Sequence, residues 1–130
     1  MNLATLSVNG TNEAMQLLRG VLPRPPEKTW IKGPSQRLEG SLTSSGFSVT
    51  VAAERTPDAL LACIRNFLSD CRSHLALFQD ADVSAELAIG ITVGNTERFA
   101  AVLDLSHADL RALATLGFAL RVAAYPPSDE

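Results

Sequence analysis

Residues 56–79 constrain the fold most, because this is the longest stretch in which apolar residues recur at helical spacing. Steps of three or four residues place its apolar side chains on one side of an α-helix. These side chains are Leu60, Ile64, Phe67, Leu68, Cys71, Leu75 and Phe78. Thr56 is suited to the N-cap, Pro57 to the first helical position and Asp58 to the positive end of the helix dipole. We predict one amphipathic helix of about 35 Å, long enough to span a small sheet.

Three other segments alternate apolar and polar residues at the period of a β-strand. They are residues 3–8, 44–53 and 83–93. Gly94 and Asn95 follow the third segment with turn chemistry, so we predict that residues 97–103 return as its hairpin partner. Residues 118–125 are predicted to form a final strand.

Two shorter helices are indicated by their capping residues. Thr11 is the predicted N-cap of a helix that ends at Gly20. Ser106 and Asp109 form a predicted capping box, and Gly117 is placed to end that helix.

The order of these elements, β-α-β-α-β-β-α-β, predicts an α+β fold. We expect a single mainly antiparallel sheet of about five strands with helices on one face. A chain of 130 residues with 46% hydrophobic residues can bury one core, so residues 1–130 are predicted to form a single domain. Within it, residues 22–43 are predicted to be a long irregular loop and residues 126–130 a short disordered tail.

The start of the chain has neither the basic nor the apolar region of a secretory signal, and no apolar run approaches the roughly 20 residues of a membrane helix. We therefore expect a soluble cytoplasmic protein with no membrane partner. Cys63 and Cys71 are eight residues apart on the predicted helix. This spacing corresponds to about 12 Å, beyond the roughly 7 Å that a disulfide can span, so both are predicted to be reduced.

The predicted loop is locally basic and contains the single tryptophan of the chain. Residues 19–40 carry five basic and two acidic residues, although the whole chain has a net charge of −3. Irregular loops longer than about 12–15 residues are usually functional or disordered. The candidate binding residues are therefore Arg24, Lys28, Trp30, Lys32 and Arg37. The alternative is that Trp30 only anchors the loop to the rest of the domain.

No catalytic or metal-binding pattern is recognisable. His74 and His107 are the two histidines, and Cys71 with His74 would supply two ligands, which do not make a zinc site. Asp80 and Asp82 flank a predicted turn and are typical of a solvated loop. We predict no metal, no cofactor and no enzymatic activity.

Four segments together resemble a family of short bacterial proteins classified only as a domain of unknown function. The segments are the opening strand and helix running into Leu22-Pro23, the Trp30-Ile31-Lys32-Gly33 loop, the long central helix, and the stretch from Leu105-Ser106 through Leu113-Ala114-Thr115-Leu116-Gly117 to Tyr125. The resemblance implies an α+β fold and a bacterial source, and it implies no activity. Some small families of this kind are thought to be immunity partners of secreted toxins.

Two classes of binding function fit these observations. The first is a non-catalytic protein-binding module, of which an immunity-type protein that neutralises a partner is one form, with a homodimer as a further expectation. The second is a small-molecule or anion-binding domain, in which Trp30 stacks on the ligand and the surrounding cations hold a phosphate or carboxylate. The negative net charge argues against general nucleic-acid binding.

Overall fold

The computed structural model describes residues 1–22, 25–30, 33–34, 41–42, 45–80, 82–94 and 100–126. These residues confirm the α+β fold. In chain order, the elements are β1 (Asn2–Gly10), α1 (Asn12–Val21), β2 (Lys28–Trp30), β3 (Gly33–Pro34), β4 (Ser41–Leu42), β5 (Ser45–Glu54), α2 (Pro57–Arg72), α3 (Leu75–Phe78), β6 (Ser84–Thr92), α4 (His107–Leu116) and β7 (Phe118–Tyr125).

Five of the described strands form one sheet in the order β2-β5-β1-β6-β7. The first three neighbouring pairs are antiparallel, and only β6 and β7 are parallel. The predicted mainly antiparallel five-stranded sheet is therefore confirmed. The short strands β3 and β4 pair with each other in a separate ribbon.

The helices cover one face of this sheet. Ala4, Leu6 and Val8 are fully buried on β1, whereas the residues between them are not. Side chains from all four described helices join this face in one apolar cluster, which includes Met15, Leu18, Leu60, Ile64, Phe67, Phe78, Leu113 and Leu116. The core thus lies between one layer of helices and one face of the sheet. Among the described residues, no helix is both long enough and apolar enough to cross a membrane.

The central helix α2 begins as predicted but is shorter than predicted. The Thr56 side chain accepts a hydrogen bond from the Ala59 amide, and Pro57 is the first helical residue. The helix ends at Arg72, where the Ser73 amide donates to the carbonyl three residues earlier. A second short helix, α3, then continues the apolar surface. The prediction of one unbroken helix through residue 79 was wrong.

The predicted hairpin after β6 was also wrong. Of the predicted turn and return strand, residues 95–99 lie outside the described residues, and residues 100–103 form no strand. Instead the chain passes through α4 and returns as β7, whose pairing with β6 is parallel. A parallel neighbour requires such a crossover, because a tight turn can join only antiparallel strands.

The prediction of an irregular loop over residues 22–43 needs correction as well. Lys28–Trp30 is a strand that pairs with β5 and supplies the fifth strand of the sheet, in place of the predicted hairpin partner. The predicted site residues Arg24, Lys32 and Arg37 lie outside the described residues, as do residues 127–130 of the predicted tail.

The ends of the short helices follow the predictions closely, with one exception. Ser106 and Asp109 form the capping box, and Gly117 ends α4 with φ of 74°. Thr11 caps α1, but the helix continues through Gly20 to Val21.

Candidate functional site

The face of the sheet opposite the helices is covered by no other described element and is the candidate functional site. We call it the open face. At one end it is polar, because one row of side chains crosses all five strands with mostly hydroxyl and charged groups. From β2 to β7, this row is Lys28, Ser48, Ser7, Glu86 and Ala119. The next row is Thr50, Thr5, Ala88 and Arg121.

The other end of the open face is apolar. Leu3 is 45% exposed there, and the side chains of Met1 and Tyr125 are also largely exposed. The Tyr125 ring lies against Gly90, where an added Cβ would come within 3.0 Å of the Tyr125 Cε2 atom. A groove of about 800 Å³ runs between these residues toward Glu86 and Arg121. Glycine at position 90 therefore allows the aromatic ring to rest on the sheet and form a wall of the groove.

The buried amide of Asn2 holds the apolar end in place. Its Nδ2 atom donates to the Arg55 carbonyl at 3.2 Å, and its Oδ1 atom accepts from the Thr92 amide at 3.0 Å. The Thr92 hydroxyl in turn donates to the Met1 carbonyl at 3.2 Å. The start of β1 is thereby tied to the ends of β5 and β6, so the groove is built on fixed backbone.

Lys28 and Trp30, the predicted site residues that the structure describes, lie at the opposite edge of the sheet from Tyr125. Lys28 is exposed on the open face and pairs with Ser48, and the backbone of Trp30 pairs with Gly46. Three strand spacings, about 14 Å, separate Lys28 from Glu86 across the sheet. The structure therefore does not bring Lys28 into the groove.

An ion pair in the helix layer joins α2 to α4. The Arg65 guanidinium donates to both carboxylate oxygens of Asp109, at 2.9 and 2.8 Å. Mainly because of this hydrogen bonding, and despite partial desolvation, the pKa of Asp109 falls to about 2. The Ser106 amide donates to the same carboxylate at 2.8 Å. A carboxylate engaged in this way is a structural link between helices and is not available as a general base.

Among the described residues, the side chains that could ligate a metal are dispersed, and the Cys71 thiol is buried. No group of three or more His, Cys, Asp or Glu side chains among them could hold a metal ion. Burial raises the pKa of the Cys71 thiol to about 12, which suppresses the thiolate that a nucleophile requires. The Cys63 thiol is half-buried beside Glu54, with Sγ 3.6 Å from the Oε1 atom.

Comparisons with protein-family models, with curated proteins and with solved structures return no match for this chain.

Proposed function

We propose that this protein is a small, non-catalytic protein-binding module that binds its partner on the open face of the sheet. The observation that carries the proposal is the apolar end of that face, where the exposed side chains of Met1, Leu3 and Tyr125 line one groove. The solvated face of an antiparallel sheet ordinarily alternates to polar residues. A cluster of exposed apolar side chains on such a face is typical of an interaction surface.

The rest of the open face suits a protein partner as well. Glu86 and Arg121 supply opposite charges beside the apolar end, and the hydroxyl rows extend toward Lys28. Protein interfaces commonly have such an arrangement, with an apolar centre and a polar rim that forms hydrogen bonds. An immunity-type role, in which the module neutralises a bacterial partner by covering its surface, is the specific form of this proposal.

A binding measurement with two leucine variants tests the proposal. For an immunity-type protein, the first partner to test is the purified product of the adjacent gene. We expect Leu3→Arg to weaken its binding at least tenfold, because a charge would be buried at the centre of the interface. Leu17→Arg is the matched control, since Leu17 is 58% exposed on α1 in the helix layer.

Titration calorimetry would measure both affinities. If Leu3→Arg binds as tightly as Leu17→Arg, the open face is not the docking surface. If the adjacent gene product does not bind the wild-type protein at all, the immunity-type role is wrong. Capture from a lysate of the source cells, with the same two variants as bait, then tests whether another protein occupies the open face.

A small-molecule or anion-binding function is the second candidate, and the groove favours it. Its volume of about 800 Å³ falls within the range of ligand sites, roughly 300–1,000 Å³. Arg121 could hold an anionic group, and Tyr125 could stack on a ring. This site differs from the one at Trp30 that the sequence suggests.

A thermal-shift screen against anionic metabolites distinguishes the two sites. A stabilising compound whose effect is lost in Arg121→Ala and kept in Lys28→Ala would bind in the groove. The reverse result would favour the basic segment around Lys28. If no compound stabilises the wild-type protein, the small-molecule function loses its support.

A further inference from the structure

Strand β7 ends the sheet and has one edge that no described strand covers. On its inner side it pairs with β6 without interruption, from Ala85 opposite Phe118 to Thr92 opposite Tyr125. The Tyr125 carbonyl accepts from the Val93 amide at 2.9 Å, so the backbone polar groups of Tyr125 point inward. Because these groups alternate along a strand, those of Leu120, Val122 and Ala124 point to the outer edge.

This outer edge has few of the usual protections against pairing, and its one charged side chain, Arg121, lies on the open face. Edge strands are ordinarily short, interrupted by a bulge, or marked by Lys or Pro. The eight residues of Phe118–Tyr125 contain neither Lys nor Pro, and their register with β6 is continuous. At the opposite edge of the sheet, by contrast, β2 has three residues and includes Lys28.

Three of the four side chains of β7 on the helix side are both apolar and exposed. Phe118 is buried, but Leu120 is 37% exposed and Val122 is 51% exposed. Arg121 is the one charged residue of the strand, and it belongs to the open face. The outer edge therefore offers backbone hydrogen bonds together with an apolar surface.

We propose that β7 pairs antiparallel with β7 of a second copy of this chain, across a two-fold axis at Val122. In this register Val122 faces Val122 of the copy, and Leu120 faces Ala124, so a large side chain meets a small one. Arg121 faces Ala123. Centring the pair on Arg121 instead would set two guanidinium groups opposite each other, which is unfavourable.

A second copy fits this edge better than a foreign strand. A two-fold interface must be self-complementary, and the strand satisfies this requirement in backbone hydrogen bonds, in side-chain size and in charge. The edge carries no run of charge that would select an acidic or basic partner. Eight residues bury less than the roughly 800 Å² per partner of a standard interface, so we expect a dimer that dissociates on dilution.

Analytical ultracentrifugation over a range of concentrations tests the proposal with two lysine variants. The wild-type protein should dimerise, and Val122→Lys should weaken the dimer at least tenfold, because two ammonium groups would meet at the axis. Leu17→Lys is the matched control, because the Leu17 side chain is exposed on α1, and this variant should dimerise as the wild type does. Circular dichroism melting curves establish that each variant is folded. A wild-type protein that stays monomeric, or a Val122→Lys variant that dimerises normally, overturns the proposal.

Cysteine cross-linking tests the register independently of affinity. Hydrogen-bonded residues opposite each other on antiparallel strands have Cα atoms about 5.5 Å apart, which a disulfide can bridge. Oxidised Val122→Cys should therefore form a covalent dimer under native conditions. Val102→Cys, at an exposed position before α4, is the control and should cross-link far less. Equal cross-linking of the two variants overturns the pairing.

The inference does not depend on the proposed docking of a partner. Val122 lies on the helix side of the sheet, whereas Leu3 lies on the open face. The variants at these positions can therefore fail or succeed separately.

Discussion

The ionised form of Asp109 is favoured in the native state, because Arg65 and the Ser106 amide both donate hydrogen bonds to its carboxylate. Its pKa of about 2 lies below the ordinary value of 3.8. A carboxyl whose pKa is lowered by folding stabilises the native state at pH values above its unfolded pKa. This stabilisation should be complete above about pH 5 and should be lost progressively as the pH falls through about 2.

We predict that Asp109→Asn lowers the free energy of unfolding by about 1–2 kcal/mol at neutral pH, because it weakens both the capping box and the ion pair. Urea unfolding measured between neutral pH and about pH 2 should show the difference from wild type shrinking in acid. Asp104→Asn is the control, since Asp104 is exposed before the helix. A difference that does not change with pH would mean that the charge of Asp109 does not stabilise the fold.

The two cysteines differ in burial, and this should determine their reactivity. Cys71 is fully buried with a pKa raised to about 12, whereas Cys63 is half-buried. We predict that iodoacetamide modifies Cys63 in the native protein and leaves Cys71 unmodified until urea is added. Mass spectrometry of the alkylated peptides measures this. Native alkylation of Cys71, or a disulfide between the two cysteines, would contradict the packing of α2.

At the scale of elements, the same substitution should have opposite effects on stability at two glycines near helix ends. Gly117 has φ of 74° at the end of α4, where a side chain costs roughly 1–2 kcal/mol. Gly20 lies inside α1, and an added Cβ would have no atom within 4 Å. We predict that Gly117→Ala destabilises the protein and that Gly20→Ala stabilises it by about 0.5–1 kcal/mol. Thermal unfolding of both variants provides the comparison, and shifts of the same sign would contradict these conformations.

The elements that the sequence predicts well are those set by local chemistry. The caps at Thr11, Thr56 and Ser106 begin helices where they are predicted to, because an N-cap acts within one turn. The predicted hairpin failed for a different reason. Ala101 and Leu103 do pack against the core while Val102 is exposed, so the alternation reflects real burial.

Burial on one side does not by itself determine which strand will pair with β6. The edge of β6 that does not face β1 is occupied by β7, which begins more than twenty residues further along the chain. The break after α2 is hidden for a similar reason, because Leu75 and Phe78 continue the apolar spacing into α3. The periodicity of apolar residues does not reveal which distant strands pair. It also does not reveal a helix break when the residues on both sides of the break bury the same face.

At the scale of the whole molecule, the open face could not be predicted from local patterns. Leu3, Gly90, Arg121 and Tyr125 come from three strands that are distant in sequence and are joined only by the strand order. The sequence does contain one signal for an apolar open face. Leu3 is apolar, although it lies on the opposite side of the strand from Ala4, Leu6 and Val8.

The strand order also predicts where the molecule is most resistant to opening. Strand β1 has antiparallel partners on both sides, and its side chains on the helix side are fully buried. Strand β7 has a partner on one side only within the described sheet. We predict that amides of β1 exchange hydrogen most slowly. If the protein dimerises through β7 as proposed, those of Leu120, Val122 and Ala124 should exchange much faster in Val122→Lys than in the wild type. Exchange followed by mass spectrometry measures both, and equal rates in β1 and β7 of the Val122→Lys variant would contradict the strand order.

The central position of β1 has a consequence for synthesis on the ribosome. Of the five strands of this sheet, β1 is made before the other four and lies in the middle, and its two neighbours, β5 and β6, are completed only at Glu54 and Thr92. Until then the nascent chain carries an apolar strand with exposed edges, which is the kind of surface that chaperones recognise and that aggregates. A chain truncated before residue 84 would lack one neighbour of β1 permanently. Such fragments should therefore aggregate more readily than a chain that contains both neighbours.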